Sequence, residues 1–207
     1  LLGPKAGRQL AAESRHGLPS GPLLLGIGLE GNPGEVEWQS EVIDRELRAG
    51  GASDVTWVRG AETAKVWSAL TDFQVGVEAP VTIRAVMRPS QTVRFVTAAI
   101  DAGVSVQAHS GNGVVHGHLP DETLNPAAAA AVIEPLRGLA AEGGGQVIVE
   151  RCETGWAEEL AMWGEPRGDW AVMEAVKNEF DPGGLLSPGR GVDAALGQAT
   201  LSGGSVT

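Results

Sequence analysis

Asn112-Gly113 stands between two runs that alternate in polarity, Val104 to His109 and Val114 to Leu119. An Asn-Gly step in that setting is the strongest short-range signal for an antiparallel hairpin. A two-residue turn at 112–113 predicts that Gly111 faces Val114 and that His109 lies directly opposite His116. Alternation then sends Gln107, His109, His116 and His118 to one face, and Val104, Val106, Ala108, Val115, Gly117 and Leu119 to the other. A lone hairpin is marginal in water, so its apolar face requires further strands and a covering layer of helices.

The flanking sequence supplies both. Leu23 to Leu29 reads as a buried strand, and Asn32 caps a helix that Pro33 opens and Gly50-Gly51 ends. Asp54 to Val58 is a second short strand, and a helix follows from Glu62 to about Phe73. Val81 to Met87 alternates as a strand, a helix is expected from Ser90 to Ala102, and an Ala-rich helix spans about Asn125 to Ala141 before Gly143-Gly144-Gly145. Gln146 to Cys152 is a strand, and Asp169 to Phe180 is the last helix. Strands 81–87, 104–109, 114–119 and 146–152 with their two helices match a ferredoxin-like βαββαβ unit. The earlier strand–helix–strand segment reads as an additional βαβ, and the expected fold is α+β, an antiparallel sheet with helices on one face. Residues 1–20 show no clear period and are expected to be an N-terminal segment, the end of a missing domain. Residues 21–191 form the main domain, and 192–207 read as a flexible tail.

Charge and composition narrow the function classes. A formal net charge of −11 leaves nothing to neutralise a run of phosphates, which argues against nucleic acid. A hydrophobic content of 43% suffices for a core, while no apolar run approaches the ~20 residues that cross a bilayer. The single cysteine, Cys152, excludes an internal disulfide framework and fits a reducing, cytoplasmic setting. The chain opens on Leu1-Leu2-Gly3 without an initiator Met, which suggests a piece of something longer.

Strand parity places Arg84 opposite Val81, Ile83 and Ala85, and Glu150 opposite Val147 and Val149. With aligned pleats, Arg84, Gln107, His109, His116, His118 and Glu150 share one open face. Arg offers a planar fork for a carboxylate, and His is suited to proton transfer near neutral pH, so the set can hold and deprotonate a 2-hydroxy acid. On this reading His116 and His118 are the catalytic candidates, and Arg84, Gln107, His109 and Glu150 contact the substrate. The polar face of an antiparallel sheet is also ordinary solvated surface. A second reading therefore stands beside the first: a non-catalytic ferredoxin-like regulatory or assembly module that binds a protein partner. His109, His116 and Glu150 carry donor types that zinc or iron accepts, but two imidazoles and a distant carboxylate are a weak signature, and no metal is assigned. Gly26-Ile27-Gly28-Leu29-Glu30-Gly31 matches G-x-G-x-x-G, yet the helix starts only after the third Gly, so a small-residue strand is expected rather than a phosphate cradle. Cys152 has no Cys-x-x-Cys partner and reads as an inert thiol, and most of the six Trp residues are expected to be core or interface anchors.

Two segments resemble a known family. Asn178-Glu179-Phe180-Asp181-Pro182-Gly183-Gly184-Leu185-Leu186-Ser187-Pro188-Gly189-Arg190 resembles the D-P-x-G-x-L-N-P-G-K/R ending of FAD-linked oxidases of the vanillyl-alcohol-oxidase type. His109-Ser110-Gly111-Asn112-Gly113-Val114-Val115-His116 is similar to that family's H-x-G-D-G-N-x-H hairpin, and the departures from the full motif resemble the E-subunit branch of the glycolate oxidases. Asn112, Val114 and Ser187 stand where the patterns have Asp, Asn and Asn. The resemblance implies the C-terminal cap of an FAD-dependent 2-hydroxy-acid dehydrogenase, truncated and inactive alone. A separate N-terminal domain would cradle the FAD, with Arg190 as this chain's contact to the cofactor. Electrons would pass to flavin and iron–sulfur partner subunits, which could also hold the protein at the periphery of the inner membrane.

Overall fold

The computed structural model describes residues 1–15, 17–19, 21–75 and 78–192. The expected tail at 192–207 lies, apart from its first residue, outside the described residues. Four strands, β1 (Val81–Val86), β2 (Ser105–His109), β3 (Val114–His118) and β4 (Gln146–Cys152), form a sheet of order β2-β3-β1-β4 with every neighbouring pair antiparallel. The helices are α1 (Pro4–Ser14), α2 (Pro33–Ala49), α3 (Ala61–Asp72), α4 (Thr92–Asp101), α5 (Pro126–Glu142) and α6 (Trp170–Phe180). The β1-α4-β2-β3-α5-β4 order is the expected ferredoxin-like unit, and the fold is α+β.

Helices α4 and α5 cover the apolar face. Phe95, Val96 and Ala99 of α4 and Ala129, Ile133, Leu136 and Ala140 of α5 are buried at helical spacing against Val81, Ile83, Ala85, Val106, Val115 and Val147 of the sheet. Asn125 caps α5, its side chain accepting from the Ala128 amide at 2.8 Å. At the other end Arg88 donates to the Glu142 carbonyl (3.1 Å) and the Gly143 carbonyl (3.2 Å), satisfying orphaned acceptors and pinning α5 to the end of β1. Gly145 opens the return into β4 because its backbone passes so near β1 that a Cβ would lie 1.7 Å from the Val86 oxygen.

The structure corrects the expectation in four places. The strands of the additional βαβ do not form: Leu24 makes only an isolated bridge to Leu2, and residues 54–58 are irregular. Leu23, Leu25 and Ile27 remain 40–50% exposed. The sheet edges they would need are taken. Residues 1–3 pair with β2, the Gly3 amide donating to Val106 (3.0 Å) and Ala108 to Leu1 (2.7 Å), while the Val149 amide of β4 donates to Met162 (2.7 Å). Second, residues 4–14, expected to lack regular structure, are the helix α1, buried through Ala6, Leu10 and Ser14 at four-residue spacing. Third, helices do not occupy one face only. Helices α1 and α3 pack on the polar face with Leu2, forming a second small core of Leu2, Ala6, Leu10, Ala69 and Phe73. Fourth, the hairpin turn spans Ser110 to Gly113, so His109 pairs with Val114 and His116 with Gln107 rather than with His109. Gly113 accounts for the longer turn: its φ is 73°, and a Cβ there would meet the Met87 oxygen at 1.9 Å. The slip is two residues, so the partition of side chains between faces survives.

Among the described residues, no helix is long and apolar enough to cross a membrane.

Candidate active site

Arg84 of β1 lies directly opposite His116 of β3. On its other side β4 contains an irregularity: Ile83 pairs with Val149 and Thr82 with Arg151, leaving Glu150 as the extra residue of a β-bulge. A bulge re-aims side chains that strict alternation would send to opposite faces. Val149 accordingly points into the main core, and both Glu150 and Arg151 reach the polar face.

The polar face divides into two halves. In the open half, Arg84 Nε is 2.9 Å from Glu150 Oε1, and His116 Nδ1 is 3.7 Å from Glu150 Oε2. Neither contact has hydrogen-bond geometry, and both nitrogens are buried without a hydrogen-bond partner among the described residues. The His109 ring stands edge-on to the His116 ring, 6.3 Å between centroids. The Arg84 and Glu150 side chains are 42% and 32% exposed and His116 only 7%, so the guanidinium and carboxylate reach solvent while the imidazole lies at the bottom. Burial pushes the His116 imidazole below its ordinary value of 6.5; Glu150 opposes that shift, and His109 and Arg84 add to it. The ring is therefore neutral near pH 7 and can accept a proton.

The other half lies under α1 and α3. His118 Nε2 is 2.7 Å from the Phe73 carbonyl and Nδ1 is 3.1 Å from Thr82 Oγ1. A carbonyl only accepts, so Nε2 carries the hydrogen and Nδ1 receives the Thr82 hydroxyl, whose oxygen accepts from Arg151 at 3.3 Å. The Phe73 ring also packs against the imidazole, tilted by 50° with 4.6 Å between centroids. Burial holds the His118 imidazole below 6.5, against the opposing hydrogen bond to Phe73. Gln107 does the same service one strand away, donating to the Leu70 carbonyl at 3.0 Å. Thus His118 and Gln107 tie the last turn of α3 to the sheet by its unpaired carbonyls.

The structure therefore brings Arg84, His109, His116 and Glu150 together at the accessible end and encloses Gln107 and His118. Sequence reasoning missed Thr82 and Arg151. The adjacent charges Glu150-Arg151 within a strand were the available signal, since strict alternation would have driven one of them into the apolar core.

Elsewhere the remaining candidates resolve in physical terms. The G-x-G-x-x-G run does not have the geometry of a dinucleotide cradle. It is not a strand, α2 begins only at Pro33, and Asn32 itself caps the Glu35 amide at 3.0 Å. Gly28 is required by Trp67, whose ring a Cβ would approach to 2.6 Å. These residues do not fit the phosphates of FAD. The Cys152 thiol, pushed up mainly by burial, lies 4.0 Å from the Met162 sulfur. Of the tryptophans Trp170 is buried and Trp156 packs against the main core, whereas Trp38, Trp57 and Trp67 are 38–63% exposed and are not core anchors. No group of three or more His, Cys, Asp or Glu among the described residues is arranged to hold a metal ion.

The segment after α6 is organised by Asp181. Its two oxygens accept from the Leu185 amide (2.8 Å) and the Leu186 amide (2.9 Å), and Lys177 bonds both Asp181 and the Leu186 carbonyl. The Lys177 ammonium holds the Asp181 carboxyl below its ordinary value. Ser187, where the family pattern has Asn, adopts a left-handed φ of 48°, a conformation Asn tolerates better than Ser. The loop returns to the body through Trp163 Nε1, which donates to the Arg190 carbonyl at 3.1 Å and leaves the Arg190 side chain at the surface.

Residues 155–190, which contain α6 and this loop, match the family model for FAD linked oxidases, C-terminal domain. No curated protein matches the chain. The match covers a minority of the chain and stops short of the strands that carry Arg84, His116 and Glu150. It supports part of an FAD-linked oxidase, an oxidoreductase family that uses FAD.

Proposed function

We propose that this chain is the substrate cap of an FAD-dependent dehydrogenase of the vanillyl-alcohol-oxidase type that acts on 2-hydroxy acids of the glycolate class. The observation that carries the reading is the cross-strand pair Arg84–His116, which sets a partly exposed guanidinium beside a buried imidazole.

The guanidinium offers a fork to the substrate carboxylate. The neighbouring 2-hydroxyl then falls within reach of His116, which takes its proton as the C–H bond is oxidised. His109, edge-on to His116, forms the outer wall of the site. His118 acts from beneath as a positioning residue, since its Nε2 is engaged in holding the end of α3 and its Nδ1 is bonded to Thr82 of β1. FAD, held by a domain outside this chain, supplies the hydride acceptor, with Arg190 as the surface residue offered toward it. Electron transfer to iron–sulfur partner subunits, and with them a cytoplasmic or membrane-peripheral location, belong to the same proposal.

The test is Arg84→Ala in the flavin-loaded full-length enzyme. Loss of a charge-assisted contact of ~2–3 kcal/mol should raise KM for glycolate or D-lactate about 30- to 150-fold, with a smaller effect on kcat. Unchanged KM would remove Arg84 and with it the hydroxy-acid reading.

A further inference from the structure

Glu150 is placed between two groups and fully engages neither. Its Oε1 is at ion-pair distance from Arg84 Nε (2.9 Å), its Oε2 stands 3.7 Å from His116 Nδ1, and both nitrogens lack an aligned acceptor. Orphaned buried donors are uncommon, because each forfeits ~1–3 kcal/mol that a partner would restore. One carboxylate cannot complete both bonds from its present position, whereas two carboxylates can. A 2-hydroxy acid brings the second.

We propose that Glu150 is a positioning residue that rests on Arg84 as long as no substrate is bound and transfers to His116 Nδ1 when a substrate carboxylate takes its place on Arg84. This rests on the hydroxy-acid reading above. The bulge at Glu150 makes the movement a side-chain rotation, since the residue lies outside the regular ladder. The transfer has two chemical consequences. A bond from Nδ1–H to Glu150 fixes the tautomer that leaves Nε2 with its lone pair toward the substrate hydroxyl. It also brings a negative charge onto the imidazole, so the base strengthens only when an acid is bound. The charged groups facing His116 are Glu150 from β4, Arg84 from β1 and His109 from β2. Only Glu150 favours the protonated ring, so its movement decides the sign of the change.

The experiment is a ¹⁵N NMR titration of His116 in the 207-residue chain, assigned through His116→Asn, with and without saturating glycolate. No flavin is needed, so the readout is independent of turnover. Glycolate should raise the proton affinity of His116 about tenfold and move its nitrogen shifts to the Nδ1–H tautomer. Glu150→Gln should bind glycolate at least as tightly, having lost the competitor for Arg84, and should show only the small effect of the ligand's own charge. Glu150→Asp, with the charge on a shorter stem, should keep part of the response. Equal responses in the wild type and both variants, or glycolate binding without any change at His116, would overturn the inference while leaving Arg84 as the carboxylate anchor. Absence of glycolate binding to the wild-type chain, seen as no change at the Arg84 Nε–H signal, would overturn the hydroxy-acid reading and this inference together.

Discussion

Two histidines on β3, separated by one glycine, live in opposite circumstances. His118 has a partner on each ring nitrogen and an α-helix end above it; His116 has an orphaned Nδ1 and a carboxylate just out of reach. The same contrast divides the whole polar face. Under α1 and α3, Gln107, Thr82, His118 and Arg151 are spent on holding backbone carbonyls and one another. At the open end, Arg84, Glu150 and His116 are close but incompletely bonded. Residue type does not separate structural from chemical roles here; whether a side chain is engaged in holding the end of α3 does.

The strongest way to break this comparison is to remove each imidazole in turn. His118→Ala opens a cavity and orphans the Phe73 carbonyl, and should cost ~3 kcal/mol in urea unfolding; His116→Ala removes an unsatisfied nitrogen and should cost at most ~1 kcal/mol. Equal losses would mean that the two halves are not distinct. A smaller effect is expected at Gln107→Ala, about 1 kcal/mol, because the Leu70 carbonyl loses its donor while an unpaired Gln107 Oε1 is removed with it. The same substitution should increase hydrogen exchange in the last turn of α3 and leave the turn at 110–113 unchanged; uniform exchange would show that α3 is held by its small core alone.

The mildest test is pH. Burial keeps both folded imidazoles below 6.5, so the unfolded chain binds more protons than the folded one as pH falls, and stability should decline below about pH 6.5. A second decline is expected below the ordinary carboxyl value of 3.8, where Asp181 loses its tie to Lys177 and to the 185–186 amides. His118→Gln should flatten the first decline without touching the second. A urea midpoint constant between about pH 7 and about pH 5 would contradict the buried-imidazole account.

Much of the fold was legible because local rules and tertiary packing agree there. The four strands follow the period-2 alternation, α5 follows its Asn125 cap and its Gly-rich stop, and the face bearing the imidazoles follows from parity alone. Where they disagree, the reading failed. Helix α1 begins after Gly3 with no capping side chain, has no acidic residue in its first turn and no basic one in its last, and so lacks the usual start and stop signals beyond Pro4. The run Leu23 to Leu29 has the composition of a buried strand, but strand formation needs a free neighbouring edge, and residues 1–3 occupy the one at β2. The bulge at Glu150 inserts a residue into the alternation, and the adjacent charges Glu150-Arg151 are its trace in the sequence.

By itself, then, the amino-acid sequence determined which side chains could share a face, because alternation is a property of the chain and survives a two-residue slip of register. Only the tertiary structure decided which of them remain available for chemistry. That depends on whether a helix distant in sequence brings its unpaired carbonyls to them, and on where one extra residue in β4 turns two neighbouring charges to the same side.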